Sequence, residues 1–193
     1  MSVEVSTRPL EDYQVHLDYH ASLPGHDKLM RFRHEYMDLF QPPAGASILD
    51  LGGYIGATAL HYGEQGHEVV SVEGAKAYCD EFQKNAAHLD NVSVIWGLFE
   101  DFPTFFDRFD ACCCTEVLNQ VVDPLAVMEV AWRELRSGGL LFVVVPSKKL
   151  RVEKRTFKQG ELERLVEEAG FALNWSKHLT TSPTPQWIVE AHK

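Results

Sequence analysis

The chain has 193 residues, with 18 Lys and Arg against 28 Asp and Glu, so its formal net charge is −10. Hydrophobic residues make up 45% and charged residues 24%, which is ordinary for a folded soluble domain and excludes wholesale disorder. A strongly acidic chain is a poor candidate for binding nucleic acid through phosphate neutralisation, although a local basic patch is compatible with that charge.

The longest apolar run, residues 140–145, is far shorter than the ~18 residues that a membrane span requires. The first residues also lack the charged-then-apolar layout of a secretory signal. We therefore expect a cytoplasmic protein without a membrane anchor, either monomeric or homodimeric.

The first 44 residues differ in pattern from the rest of the chain. Apolar residues at helical spacing predict an amphipathic helix from Asp27 to Phe40, which the run Gln41-Pro42-Pro43 ends. Residues 1–26 are polar, aromatic and rich in histidine. We interpret residues 1–44 as an extension, a lid or cap that packs across one domain formed by residues 45–193.

From residue 47 onward, apolar runs alternate with helical patterns, which predicts βαβ units around a parallel sheet. The last two strands are joined by a turn too short for a helical crossover, so they should be antiparallel neighbours. The predicted strands are residues 47–51, 68–73, 92–96, 109–114, 140–145, 171–180 and 186–191, and the first, second and last predicted helices of this region are residues 56–65, 76–89 and 159–169.

The remaining helix lies between the fourth and fifth strands. Asp123 suits its N-cap and Pro124 its first position, and Gly138-Gly139 is predicted to end it. Its predicted buried stripe consists of Leu125, Met128, Trp132 and Leu135.

The four cysteines are Cys79 and the run Cys112-Cys113-Cys114. Adjacent residues of a strand face opposite sides of the sheet, so the run does not converge on one metal ion. We expect reduced, buried thiols and no metal site.

A glycine turn follows the first predicted strand, in Asp50-Leu51-Gly52-Gly53-Tyr54-Ile55-Gly56. Glycines let the backbone turn tightly and approach a ligand closely. Glu73, at the end of the second strand and 21 positions after Gly52, can accept hydrogen bonds from both hydroxyls of a ribose. A nicotinamide fingerprint would need glycine where Leu51 stands. The pattern therefore favours a nucleoside-bearing ligand other than a nicotinamide dinucleotide.

The stretch from Asp50 to Gly56 resembles motif I of the class I S-adenosylmethionine-dependent methyltransferases. Glu73-Gly74 is similar to motif II of that family, whose acid binds the ribose. The segments that resemble later family motifs are Phe109-Asp110 with Thr115 to Leu118, Val130 to Val145, and Phe157 to Phe171.

This resemblance covers residues 45–193 and implies an α/β fold, a Rossmann-like doubly wound seven-stranded sheet of order 3-2-1-4-5-7-6 with strand seven antiparallel. It implies S-adenosylmethionine as the cofactor. The residues implied to bind it are Asp50, Gly52, Gly53, Tyr54, Gly56, Glu73, Gly74, Leu98, Phe99 and Thr115.

Two positions depart from the family pattern. Tyr54 stands where many members have a further glycine, and Leu98 stands where many have an Asp that binds the adenine amino group. Adenine could instead rest on Leu98 and Phe99 and bond to the backbone, or Glu100 could serve.

Methyl transfer to a hydroxyl or amine benefits from a general base. The candidates are Glu116 and Gln120 after the fourth strand and His20 in the N-terminal extension, where the family commonly places a lid. Loop capping is the alternative role for Glu116 and Gln120, and an incidental place in a solvated arm is the alternative for His20.

Six of the eighteen basic residues lie between Lys148 and Lys158, directly after the fifth strand. This local reversal of sign suggests attraction of an anionic acceptor, with a solvated loop as the alternative. We expect a methyltransferase for a small molecule and no nucleic-acid partner. The alternatives are a catalytically inactive methyltransferase-like binding or scaffold protein, a protein or nucleic-acid methyltransferase and, more distantly, a nicotinamide dehydrogenase.

Overall fold

The computed structural model describes residues 35–99, 105–148, 155–158, 160–180 and 185–193. Seven strands form one sheet in the order β3-β2-β1-β4-β5-β7-β6. Neighbouring strands from β3 to β5 pair in parallel, and β7 pairs antiparallel with both β5 and β6. This arrangement confirms the predicted doubly wound sheet.

Within the described residues, four α-helices connect the strands, and helical backbone also occurs at residues 35–37. The elements in chain order are β1 (Ser47–Leu51), α1 (Ala57–Glu64), β2 (Glu68–Glu73), α2 (Lys76–Asn85), β3 (Val92–Trp96), β4 (Phe109–Thr115), α3 (Pro124–Glu134), β5 (Leu135–Pro146), α4 (Glu161–Glu168), β6 (Ala172–Leu179) and β7 (Gln186–His192). The predicted bounds differ from these by at most four residues, except between α3 and β5.

Two apolar clusters cover the two faces of the sheet. On one face, α3 and α4 pack through residues such as Met128 and Leu162. On the other face, α1 and α2 pack through residues such as Tyr62 and Phe82. Side chains of successive residues in a strand point to opposite faces, so β4 and β5 are apolar throughout because both of their faces are covered.

The part of the predicted N-terminal helix that the structure describes belongs to this second cluster. Tyr36, Met37 and Phe40 are buried, and the Phe40 ring stacks on Phe142 of β5 with centroids 4.9 Å apart. Residues 1–34, and with them most of the predicted extension, lie outside the described residues. The division of the chain at residue 44 stays a prediction.

The end of α3 differs from the prediction. The helix ends at Glu134, and Leu135 is already extended and pairs with Phe109 of β4. The sheet register then shifts, so that Leu140 pairs with Ala111 and the predicted Gly138-Gly139 stop lies inside an irregularity of β5. Pairing of Leu135 with the sheet ends the helix before the glycines do.

The predicted buried stripe of α3 is wrong at Trp132, which is 40% exposed. Met128 and Leu135 are buried as predicted, and Leu125 is half-buried. The helix also buries Val127, Val130 and Ala131. The Trp132 ring lies beneath the Lys193 ammonium, whose Nζ is 4.3 Å from the ring centroid. This cation–π contact stabilises the Trp132 ring at an exposed position. Helical spacing alone cannot reveal such a contact.

The predicted burial of the four cysteines is confirmed. Cys79, Cys112, Cys113 and Cys114 are all free and buried. Within the described part of the chain, no group of three or more His, Cys, Asp or Glu side chains could hold a metal ion. In the same residues, no helix is long and apolar enough to cross a membrane.

The N-cap of α3 allows a first prediction. Asp123 Oδ1 accepts hydrogen bonds from the N–H groups of Leu125 (3.0 Å) and Ala126 (3.2 Å). Asp123→Ala should lower the free energy of unfolding by about 1 kcal/mol, measured by urea denaturation. Asp123→Ser keeps an acceptor and should lose less; equal losses for the two variants would contradict the capping role.

Candidate functional site

The carboxyl ends of β1 to β4 lie at one edge of the sheet. β1 lies between β2 and β4, so the chain leaves it in one direction for β2 and β3 and returns on its other side as β4. Open α/β sheets bind ligands at such a reversal point. The predicted site residues after β1, β2, β3 and β4 are therefore brought to one place.

The glycine turn is built onto the end of β2. The N–H groups of Gly52 and Gly53 both donate to the Val72 carbonyl, at 2.9 and 3.2 Å. Gly52 and Gly56 have φ values of 82° and 99°, in the left-handed region that favours glycine. The chain thus reverses tightly into α1, as the sequence predicts.

The turn is also crowded from both sides. A Cβ at Gly52 would lie 2.2 Å from Cγ2 of Val117, and one at Gly53 would lie 2.7 Å from Cβ of Ser71. Both distances are shorter than real Cβ contacts, so any larger residue would push the turn away from β2 or β4. Packing against Val117 and Ser71 therefore favours glycine at both positions.

Tyr54 occupies the position where the resembling family often has glycine, and its φ is 49°. A left-handed backbone is unfavourable for a residue with a Cβ. The Tyr54 ring packs edge-on against Tyr78 of α2, with centroids 4.6 Å apart, in a small cluster with Ile55 and Ala75. This aromatic contact offsets the backbone strain and explains how tyrosine is tolerated there.

Glu73 joins the turn to the end of β2. Its Oε2 accepts from the Tyr54 N–H at 2.9 Å and its Oε1 from the Ala75 N–H at 2.8 Å. The side chain is almost fully buried, and this burial raises the pKa of Glu73 from an ordinary 4.5 to about 7, against the lowering effect of the two amide bonds. Each oxygen keeps a second lone pair for a further donor.

Asp50 lies beneath the turn and is fully buried in β1. Its Oδ2 accepts from the Ser71 hydroxyl at 2.7 Å. Ser71 interrupts the apolar run of β2, which is a usable sequence signal for this buried polar contact. The Asp50–Ser71 bond places a carboxylate between β1 and β2 directly under the turn.

Leu98 and Phe99 follow β3 and are both half-buried. Phe99 packs against the same core cluster as Ile95, the cluster covered by α3 and α4, whereas Leu98 belongs to neither of the large apolar clusters. Glu73, the last residue of β2, pairs with Trp96, the last residue of β3. Leu98 is two residues after Trp96, so the apolar pair follows directly on the part of β3 that lies next to Glu73. Gly74 lies at the same corner and accepts a bond from the Trp96 indole at 3.2 Å.

Thr115 and Glu116 mark the end of β4. The Thr115 hydroxyl is 3.3 Å from the Thr58 hydroxyl in the first turn of α1. Glu116 has a left-handed φ of 59°, and its N–H donates to the Val144 carbonyl at 2.7 Å. A non-glycine residue held in this strained conformation, at the edge formed by the carboxyl ends of parallel strands, is a common feature of functional sites.

The side chain of Glu116 reaches across the edge to β7, where its Oε1 accepts from the Gln186 amide at 2.8 Å. The two residues are 70 positions apart, so no local pattern could reveal this pair. Gln120 donates from its amide to the Glu116 carbonyl at 3.0 Å, which is a loop-bracing contact. His20 lies outside the described residues, and its catalytic role stays a prediction.

Two cavities lie farther along the same edge. The larger, about 620 Å³, has Arg155 and Arg164 balanced by Glu161 and Glu168 in its lining. The smaller, about 490 Å³, lies where β5 and β6 end and β7 begins. Its lining includes Lys148 and Lys158 of the predicted basic segment. Lys149, Arg151 and Lys154 lie outside the described residues.

The geometry of the turn fits an adenosyl group. Glu73 retains lone pairs for ribose hydroxyls at the end of β2, apolar side chains follow β3, and α1 begins directly after the turn. The departure at Tyr54 does not close the turn, because its ring packs sideways onto Tyr78.

Comparison with known proteins agrees with this geometry. Residues 25–176 match a family model described as a methyltransferase domain. The chain is 32% identical over 104 residues to the tRNA 5-carboxymethoxyuridine methyltransferase of Escherichia coli K12, which covers 51% of this chain and 40% of that protein. It is 28% identical over 116 residues to the ubiquinone biosynthesis O-methyltransferase of Xylella fastidiosa, covering 58% and 46%. The chain thus spans less than half the length of these two relatives.

The fold is also found in solved structures. An S-adenosylmethionine-dependent methyltransferase from Aquifex aeolicus superposes with a TM-score of 0.76, covering 96% of this chain and 98% of that one at 14% identity. At this identity the match establishes the fold alone.

Proposed function

Because the chain belongs to the class I S-adenosylmethionine-dependent methyltransferases, we propose that it transfers a methyl group from S-adenosylmethionine to a small molecule that carries an acidic group. The observation that carries this proposal is the Glu73 carboxylate. It is buried at the end of β2, bonded to the glycine turn through the Tyr54 N–H, and still able to accept from a ribose.

The proposed cofactor site consists of the turn, Glu73 and the apolar residues after β3. Glu73 would accept from the ribose hydroxyls, and Leu98 and Phe99 would contact the adenine. Asp50, buried under the turn, would act on the ammonium side of the methionine, and Gly52, Gly53, Tyr54, Gly56, Gly74 and Thr115 complete the proposed site.

When bound, the cofactor supplies an activated methyl group for in-line displacement. The protein then has to position the acceptor and to receive its proton if a hydroxyl or amine is methylated. Glu116 is our candidate for the second task, since it stands at the end of β4 next to the turn. The Gln186 amide orients its carboxylate, and Gln120 braces its backbone.

A small acidic acceptor is favoured by charge. The formal net charge of −10 disfavours a long polyanion, whereas the cavity that contains Lys148 and Lys158 can attract a single acidic group. The Escherichia coli relative acts, by its name, on a carboxymethoxy-bearing nucleoside within tRNA. For this chain we propose the acidic substituent without the polynucleotide.

Calorimetry with S-adenosylmethionine tests the proposal. We expect binding, and we expect Glu73→Ala to weaken it by roughly ten- to a hundredfold, because hydrogen bonds to a charged group contribute about 1.5–3 kcal/mol each. Glu68→Ala is the matched control, since Glu68 begins the same strand and is exposed at the opposite edge of the sheet.

Binding without any methyl transfer to a panel of small acids, amines and phenols would support the scaffold alternative. No heat of binding, or equal affinity in the Glu73 and Glu68 variants, would sink the cofactor assignment.

A further inference from the structure

The smaller cavity is positioned away from the glycine turn but on the same edge of the sheet. Pro146 at the end of β5 pairs with Gln186 at the start of β7, and Leu179 at the end of β6 pairs with the same residue. Strands are spaced about 4.8 Å apart, so three strand spacings place the start of β7 roughly 14 Å from β1. The cavity is therefore separate from the proposed cofactor site and within reach of a medium-sized acceptor bound beside it.

The ionisable side chains among the described lining residues of this cavity are all basic. Lys148, Lys158 and His178 line it, and among the described residues that line it there is no Asp or Glu. The neighbouring cavity, by contrast, has two arginines and two glutamates. The Glu161 carboxylate lies beside the backbone of Lys158, where its Oε2 accepts from the Lys158 N–H at 2.7 Å, but Glu161 lines the neighbouring cavity.

His178 is held in place on two sides. Its ring stacks on Trp187, with centroids 3.9 Å apart and planes 21° apart. Its Nε2 lies 3.0 Å from the Ser147 hydroxyl, which itself donates to the Pro185 carbonyl at 3.1 Å. Since that hydroxyl has one proton and gives it to the carbonyl, it accepts from Nε2–H of His178.

We propose that this cavity is an oxyanion site that binds a phosphate group of the methyl acceptor. The lysines act as point charges, which suits phosphate, and the described residues of the lining include no arginine fork of the kind that matches a planar carboxylate. Thr156 and Thr180 add hydroxyl donors for the several oxygens of a phosphate. Assigning the phosphate to the acceptor rests on the proposed function, whereas the binding itself does not.

Inorganic phosphate is the probe that tests the site without cofactor. In a ¹⁵N-labelled chain, the Trp187 indole signal, assigned with Trp187→Phe, should shift saturably with phosphate at constant ionic strength. Lys148→Gln/Lys158→Gln should weaken binding at least about tenfold, because two charge-assisted contacts are lost. Both lysines are exposed, so the double variant should keep its fold.

Lys177→Gln is the matched control. Lys177 precedes His178 on β6, so its side chain faces the other side of the sheet, and it does not line the cavity. Phosphate affinity should be unchanged in this variant. A linear shift without saturation, an equal loss in Lys177→Gln, or equally tight binding of acetate would overturn the proposal.

The two proposals can fail separately. Phosphate binding in a chain that binds no S-adenosylmethionine would leave the oxyanion site standing and remove its connection to an acceptor. Cofactor binding and methyl transfer without phosphate binding would remove this site and leave the proposed function intact.

Discussion

The affinity for the cofactor should fall as the pH is lowered through 7, and Glu73 should be the cause. The pKa of Glu73 is raised to about 7 by burial, so at pH 5.5 most of the free protein carries a neutral carboxyl. Ribose hydroxyls donate most strongly to an ionised carboxylate, so binding must release that proton. The dissociation constant should therefore be about thirtyfold larger at pH 5.5 than at pH 8.5.

Adenosine is the sharpest ligand for this measurement, because it has the ribose and lacks the titratable amino-acid part of the cofactor. Calorimetry in buffers of different ionisation enthalpy should show release of about one proton per site at pH 6 and almost none at pH 8.5. Glu73→Gln should bind more weakly at every pH with no such dependence. A pH profile that survives this substitution would assign the proton to another group.

The groups around Glu73 define which alternatives matter. Asp50 of β1 is the charged neighbour that raises the pKa of Glu73 further, after burial itself. Cys79 of α2 donates its thiol to the Glu73 carbonyl, and burial raises the pKa of Cys79 to about 11, so it stays neutral across this range. Lys76 of α2 lies near the Trp96 ring, with its Nζ 5.9 Å from the ring centroid.

The same proton has a consequence for stability in the absence of ligand. Between pH 4.5 and pH 7 the folded protein holds the Glu73 proton more tightly than the unfolded chain does, so the contribution of this group to the free energy of unfolding falls as the pH rises. The loss is at most about 3 kcal/mol, from a shift of roughly two and a half pH units. Comparing urea denaturation of the protein with Glu73→Gln at pH 5 and pH 8 isolates this contribution from the other carboxylates.

Local patterns in the sequence predicted the turn and its acid because both consist of neighbouring residues with defined geometry. Gly52 and Gly56 have the left-handed backbone that their residue type allows, and Glu73 ends its strand at the predicted residue. The strand order followed from the resemblance to a family, and the structure confirms it.

Other features depend on contacts that no local pattern contains. The bond from Gln186 to Glu116 joins residues 70 positions apart, and the early end of α3 follows from the pairing of Leu135 with Phe109. Tyrosine is tolerated at position 54 because its ring packs against Tyr78 of α2. In each case tertiary packing overrides the preference of the local sequence.

The glycine turn should be most sensitive at Gly52, where two separate effects add. Gly52→Ala would place a methyl group in a left-handed backbone (φ 82°) and 2.2 Å from Cγ2 of Val117. Gly45 also has a left-handed φ of 71°, but nothing lies within 4 Å of a Cβ built there. Gly45→Ala should therefore cost about 1 kcal/mol of stability, and Gly52→Ala clearly more, because the overlap with Val117 adds roughly 1–3 kcal/mol.

A double variant separates the two effects at Gly52. Val117→Ala removes the γ-methyl groups that a Cβ at position 52 would meet, so Gly52→Ala/Val117→Ala should be more stable than the sum of the single changes predicts. Measured relative to Val117→Ala alone, the loss caused by Gly52→Ala should approach that of Gly45→Ala, since mainly the backbone strain is left. If the two changes are simply additive, the contact with Val117 does not limit this position, and the requirement for glycine comes from the backbone alone.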